Sequence, residues 1–516
     1  MALPQYRVEP YLDWSEESNQ NEMRAALQKV EGELGRSYPL IIGGKRVETD
    51  GEIISVNPAQ PSQVVGHVGR ATETEADMAL ETATKTFETW SRTAPEARAR
   101  IMLRASAIMQ RRRFELLAWE AYEGGKPWAE ADAQVAEGID FLEYYAREMI
   151  RLKDGKGVYS VAGEENEYFY QPMGVGVVIA PWNFPTAILT GMSSAAIVTG
   201  NTVVLKPSEH TSVLGAKVME IFEEAGLPEG VLNLVHGYGS EIGDYLVGDA
   251  RTRFISFTGS MQTGLRINEL AAKPQDGQRW IKRVIAEMGG KDALIVDDSA
   301  DLDAAAADLV KSAYGYSGQK CSAASRGILH ADIYDEVLAK AIEKARGLKI
   351  GEPDAPDINV GPVQNEPQFE KVSSYIDSGK QQAERVLGEE PGDPKDGYFI
   401  TPTIFETDRD SRIAREEIFG PVLSILKARD FDEGLAIANE LPYGLTGGVY
   451  SRNRDHLEQA RTELRAGNVY FNRTITGALV GVQPFGGFGL SGTDSKAGGP
   501  DYLPLHMLPR TVVERF

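Results

Sequence analysis

The chain predicts an α/β protein with two sheet-and-helix lobes, and three observations carry that expectation. From residue 174 onward, apolar runs suited to strands (175–180, 202–205, 231–235 and 253–257) alternate with helical stretches at 188–198 and 213–225. Such alternation implies a parallel sheet covered by helices on both faces, a nucleotide-binding architecture. A second alternating region runs from about 291 to 470, with strands near 293–296, 327–329, 422–427 and 448–450. At 516 residues the chain is also long for one core, so two or three domains are expected.

Taken in order, residues 1–37 are polar, rich in Glu and Gln, and predicted to be partly helical. Residues 38–68 read as short strands, with a Gly43-Gly44 hairpin signal. Thr72 and Glu75 form a capping box that opens a helix, and Pro95 sits where another begins. Further on, Val135, Ile139, Leu142 and Tyr145 make an apolar helical stripe. Glu137 lies off that stripe, where a solvated carboxylate is the usual occupant. Between residues 351 and 357 the chain is rich in Pro and Asp and reads as a linker, and residues 510–516 read as an edge strand.

A formal charge of −22 argues against nucleic acid or an anionic membrane as partner. No basic start followed by an apolar run opens the chain, and a cytoplasmic protein is expected. Residues 171–205 carry no charge and are long enough to span a bilayer. Pro181, Pro185 and several buried amides and hydroxyls favour a strand, helix and strand in a water-soluble core instead.

Cys321 is the only cysteine, so it is either an inert packing residue or a reactive thiol. Its setting, Gly315-Tyr-Ser-Gly-Gln-Lys-Cys-Ser322, is polar and glycine-rich, which suits a thiolate better than a core. Glu287 lies 34 residues upstream, before a Gly289-Gly290 turn, and Asn183 follows a buried strand that ends at Pro181. No G-x-G-x-x-G follows the first strand of the lobe. In its place Phe257-Thr-Gly-Ser260 turns into a helix that includes Gly264, and a helix start of this kind suits a pyrophosphate. Lys206 and Glu209, at the next strand end, are either a surface pair or ligands of an adenosine ribose.

Together the Pro181-Trp-Asn-Phe-Pro185 strand end, Glu287-Met-Gly-Gly-Lys291, Gly318-Gln-Lys-Cys321 and Glu417-Ile-Phe-Gly420 resemble the aldehyde dehydrogenase superfamily over nearly the whole chain. The resemblance implies a Rossmann-type NAD-binding domain (38–152 and 173–290), an α/β catalytic domain (291–484) and a small β oligomerisation arm (153–172 and 485–516) after the N-terminal extension. It implies Cys321 as nucleophile, Glu287 as base and Asn183 as oxyanion donor. For NAD it implies the strand end Ala180, Pro181 and Trp182; Lys206, Ser208 and Glu209; and Gly239 and Gly243. It adds Phe257, Thr258, Gly259, Ser260 and Gly264, with Met288, Glu417 and Phe419 on the nicotinamide side. A carboxylate at Glu209 favours NAD over NADP.

Within the superfamily the N-terminal extension, Cys321-Ser-Ala-Ala-Ser-Arg326 and Thr476-Gly-Ala-Leu-Val-Gly481 resemble the branch that oxidises glutamate γ-semialdehyde. That branch implies a small aldehyde with an amino-acid head as substrate, held by Glu137, Phe184, Ser322, Gly477, Ala478 and Phe485. It also implies a homo-oligomer, at least a dimer. Succinate semialdehyde is the alternative substrate, and an inactive structural protein on the same fold is the alternative class. No histidine of the six sits in a hydrolase triad pattern, and no His/Asp/Glu cluster has metal-ligand spacing.

Overall fold

The computed structural model describes residues 4–516 and holds two seven-stranded sheets. In the first, Val175–Ile179 and Thr202–Lys206 pair in parallel at the centre, flanked by Thr252–Thr258 on one side and Leu232–Leu234 on the other. Both central strands are rich in Val and are covered on both faces, as parallel strands require. The charge-free stretch is these two strands and the helix Ala187–Val198, which is buried on nearly all sides by its small residues. No helix among the described residues is long and apolar enough to cross a membrane.

Neither sheet is purely parallel. The hairpin Leu40–Ile42 and Lys45–Val47, turning at Gly43-Gly44, adds an antiparallel edge to the first sheet. The second sheet has Asp292–Val296, Ala324–His330, Val422–Ala428 and Thr446–Tyr450 at its centre. Its outer strands Glu384–Leu387, Thr403–Glu406 and Asn468–Phe471 are short, and the first of them pairs antiparallel. The sequence reading did not pick out these three strands, because runs of four residues show no usable alternation.

The helix Glu17–Glu31 lies on Arg113–Gly124 and buries Met23 and Val30. Thr72 and Glu75 close the capping box expected of them. The Pro- and Asp-rich stretch 351–357 is no free linker, because its Pro353 carbonyl accepts the buried Trp128 indole N–H at 2.9 Å. A separate ribbon pairs Glu164–Pro172 antiparallel with the last strand, Met507–Arg515. Residues 485–506, expected to travel with that ribbon, do not. Phe488–Gly489 pairs with Tyr443–Gly444, Phe485 bridges to Ala497, and Gly492 bridges to Glu287. This segment therefore lies across the seam between the two sheets.

Candidate active site

Cys321 stands where two cavities meet. A cleft of about 340 Å³ opens on the first sheet and a pocket of about 140 Å³ lies toward the helices; Cys321 and Thr258 are the residues common to both walls.

The approach to Cys321 is held by an unusual backbone. Tyr316, Ser317 and Gly318 are three successive residues in the left-handed region, at φ of 50°, 54° and 68°. Non-glycine residues rarely adopt it, so surrounding contacts must enforce it. The Tyr316 hydroxyl donates to the Gly124 carbonyl at 2.9 Å and the Ser317 hydroxyl to the Gly361 carbonyl at 2.7 Å. Gln364 N–H donates to the Gln319 side chain at 2.8 Å. A Cβ on Gly318 would run into the Gly420 carbonyl, so only glycine fits there.

Asn183 reaches this loop directly. One N–H of its side chain donates to the Gln319 carbonyl at 3.0 Å, and its own carbonyl accepts from the buried Lys126 ammonium at 2.6 Å. That ammonium also sits over the rings of Phe184 and Tyr316, at 4.4 and 4.3 Å. The second amide N–H of Asn183 makes no hydrogen bond among the described residues and is available to a ligand.

Glu287 ends the strand Arg283–Glu287 and shares the smaller pocket's wall with Cys321. Its carboxylate is held by the 485–506 segment: the Ser495 hydroxyl donates to Oε1 and Gly487 N–H to Oε2 at 3.3 Å. Burial outweighs those donors and pushes its pKa up to about 8. The Cys321 thiol is pushed far above its ordinary value, chiefly by burial and then by Asp292, Glu287, Glu417 and Glu137. Burial thus favours the neutral thiol over the thiolate.

Of the residues expected at NAD, fourteen line the larger cleft, from Ala180, Pro181 and Trp182 through Lys206, Ser208, Glu209 and Gly239 to Met288, Glu417 and Phe419. Gly243 and Gly264 do not. Gly243 lies beyond the cleft wall, and Gly264 packs against the Met288 sulfur, where it lets the helix Met261–Ala271 approach the strand end. Phe257, Thr258, Gly259 and Ser260 lead into that helix, whose N-cap is Ser260. The Ser260 hydroxyl caps Thr263 N–H at 3.3 Å, which leaves the N–H groups of Met261 and Gln262 without a partner among the described residues. Lys206 is buried, makes one hydrogen bond among the described residues, to the Pro207 carbonyl at 3.2 Å, and lies 3.7 Å from Glu209. A buried ammonium with donors to spare, a carboxylate beside it and a free helix start form a donor set that fits a dinucleotide. At the other end Phe419 adopts φ 61° and meets Trp182 edge-to-face at 5.4 Å, while Glu417 accepts from Gly290 N–H at 3.1 Å.

The six residues expected at the substrate, Glu137, Phe184, Ser322, Gly477, Ala478 and Phe485, all line the smaller pocket. Glu137 is a pocket wall rather than a solvated surface charge. Burial, then Asp140, pushes it up to about 7, against the pull of Lys126 and Lys320. Gly477 is left-handed at φ 74°, and the N–H groups of Gly477 and Ala478 make no hydrogen bond among the described residues.

Sequence reasoning missed Lys371 and Gln368 in the cleft, and Tyr11 and the Lys320–Glu130 ion pair (2.6 Å) in the pocket. Lys371 sits on a helix far from any cofactor motif in sequence, and no local signal marks it. Lys320 directly precedes Cys321, and that adjacency was the available clue. Asp298, His330 and Asp332 do come together, although their spacing had not shown it; they line neither cavity.

The chain belongs to the aldehyde dehydrogenase family, whose pattern matches residues 46–512. It is similar to the 1-pyrroline-5-carboxylate dehydrogenase of Geobacillus kaustophilus, at 57% identity over 512 residues and 99% of each chain. A Thermus 1-pyrroline-5-carboxylate dehydrogenase solved with bound NAD superposes with a TM-score of 0.98 at 52% identity over the whole of both chains. Proline utilization A of Bdellovibrio bacteriovorus matches with a TM-score of 0.97 at 42% identity; 99% of this chain covers 53% of that one.

Proposed function

We propose that this chain oxidises L-glutamate γ-semialdehyde, the open form of 1-pyrroline-5-carboxylate, to L-glutamate with NAD, the second step of proline breakdown. One observation carries the choice of substrate. The pocket that holds Cys321 also holds a carboxylate, Glu137, and two unpaired N–H donors on the Gly477-Ala478 turn. An α-ammonium suits the first and an α-carboxylate the second. The full-length similarity to 1-pyrroline-5-carboxylate dehydrogenases agrees with this reading.

In this mechanism the Cys321 sulfur, once deprotonated, adds to the aldehyde carbon, and the carbonyl electron pair moves onto oxygen. The free N–H of Asn183 and the Cys321 backbone N–H stabilise that oxyanion, each such donor being worth about 3–4 kcal/mol in acyl-transfer sites. The aldehyde hydrogen then leaves with its electron pair and a thioester remains on Cys321. Bound NAD, held by Lys206, Glu209, the Ser260 helix start and Glu417, supplies the hydride acceptor. Glu287 takes a proton from water, whose oxygen attacks the thioester and releases the carboxylate and the thiol. The projecting ribbon, with Val513 and Phe516 exposed at its end, supports assembly into at least a dimer.

The test compares kcat/KM for glutamate γ-semialdehyde and succinate semialdehyde on the wild type and on Glu137→Ala. The wild type should prefer the amino-acid aldehyde, and Glu137→Ala should erase that preference. A better rate with succinate semialdehyde would make it the substrate. Unchanged glutamate semialdehyde turnover in the variant would remove Glu137 from the head's binding site.

A further inference from the structure

Residues 4–13 have no helix or strand of their own, yet they are tied down along their length. Glu9 N–H donates to Asp140 at 2.9 Å and Leu12 N–H to Asp132 at 2.8 Å, both on the helix Trp128–Leu152. Arg113 donates to the Pro10 carbonyl at 2.9 Å and to Glu9 at 3.0 Å. Trp14 packs on Trp128, with ring centres 5.2 Å apart. The Tyr6 hydroxyl donates to the Val480 carbonyl at 2.9 Å, and the Tyr6 ring lies where a side chain on Gly481 would have to sit.

This strap therefore touches both sides of the substrate pocket. Asp132 and Asp140 anchor it to the helix that presents Glu137, and Tyr6 anchors it to the turn that carries Gly477 and Ala478. Between those anchors Tyr11 enters the pocket wall. Its hydroxyl makes no hydrogen bond among the described residues and, as a phenol, is a donor at neutral pH. More than half of the residue's surface, 54%, is still open, so it stands at the mouth of the pocket rather than in the core.

We propose that Tyr11 is a specificity-determining residue: the N-terminal strap places its ring as the wall that bounds the space for the substrate's amino-acid head. This rests on the substrate reading above. A pocket closed only by the helix and the turn would leave the head facing water. A ring across that opening excludes water from the ammonium and carboxylate contacts and strengthens them. It also sets the length and bulk of aldehyde the pocket accepts.

The experiment uses the full-length protein with NAD and two aldehydes, glutamate γ-semialdehyde and propanal, which has no head. In Tyr11→Ala the ratio of kcat/KM for the two should fall about tenfold, as expected for one lost pocket contact, and mainly through KM for the amino-acid aldehyde. Tyr11→Phe keeps the ring and should restore the ratio to within about threefold of wild type, a rescue that a general folding defect would not show. An unchanged ratio in Tyr11→Ala, or a Tyr11→Phe as impaired as Tyr11→Ala, would overturn the proposal. If the wild type itself does not favour glutamate γ-semialdehyde over succinate semialdehyde, the substrate reading fails. If it does and Tyr11→Ala keeps the ratio, only the role of Tyr11 fails.

Discussion

Replacing Glu287 by Gln separates the two halves of the reaction, and the structure gives the size and pH dependence of the effect. Burial raises the Glu287 carboxyl from 4.5 to about 8 despite the donors Ser495 and Gly487. Only the ionised form can take a proton from water, so at pH 7 about a tenth of the protein carries a competent base and at pH 8 about half. Hydrolysis of the thioester should accordingly rise about fivefold between pH 7 and pH 8 and level off above pH 9. The same raised pKa bears on stability. The neutral carboxyl is the form the fold favours, so its contribution is fully present below about 4.5 and is lost as the pH rises toward about 8. Rapid mixing of Glu287→Gln with saturating NAD and aldehyde should show one NADH per site in a burst. Steady turnover should then be about 10²–10⁴-fold slower than wild type, the span usual for a general base. The variant's residual rate should have lost the inflection near pH 8. Loss of the burst itself would place Glu287 before hydride transfer, as the base for Cys321, whose thiol is also raised by burial. A wild-type steady-state rate that is flat from pH 6 to pH 9 would refute the assignment altogether.

Three further outcomes are expected. Cys321→Ala should lose at least about a hundredfold in aldehyde oxidation while calorimetry still finds NAD binding, since loss of a covalent nucleophile costs more than that. Asn183→Ala, which removes both the free amide donor and the bond to the Gln319 carbonyl, should slow the NADH burst by about 10²–10³-fold. NAD should show the higher kcat/KM of the two cofactors, because the Glu209 carboxylate 3.7 Å from Lys206 would repel a 2′-phosphate; equal efficiency would mean that Glu209 does not face the ribose.

Much of this molecule was legible because its signals are local. The Val-rich strands 175–179 and 202–206, the small-residue helix between them and the Thr72–Glu75 capping box each depend on residues a few positions apart. The strand-end motifs around Asn183, Lys206, Ser260 and Glu287 were legible for the same reason, and the sheet brings those strand ends to one side. What lay beyond reach was decided by contacts between distant segments. Its helix stripe alone made Glu137 look like a surface charge, and only the family resemblance placed it at the substrate; the pocket it lines is completed by elements hundreds of residues away. Ser495 meets Glu287 across 208 residues, and Tyr6 meets Val480 across 474. Gly243 and Gly264 occupy glycine-rich turns, and only the packed structure shows that one clears the cleft and the other seats on Met288. Side-chain chemistry and short-range periodicity are written in sequence order. Which carboxylate is desolvated, which hydroxyl restrains it and which tyrosine lines a pocket depend on chain segments meeting in space, and only the tertiary structure decided those.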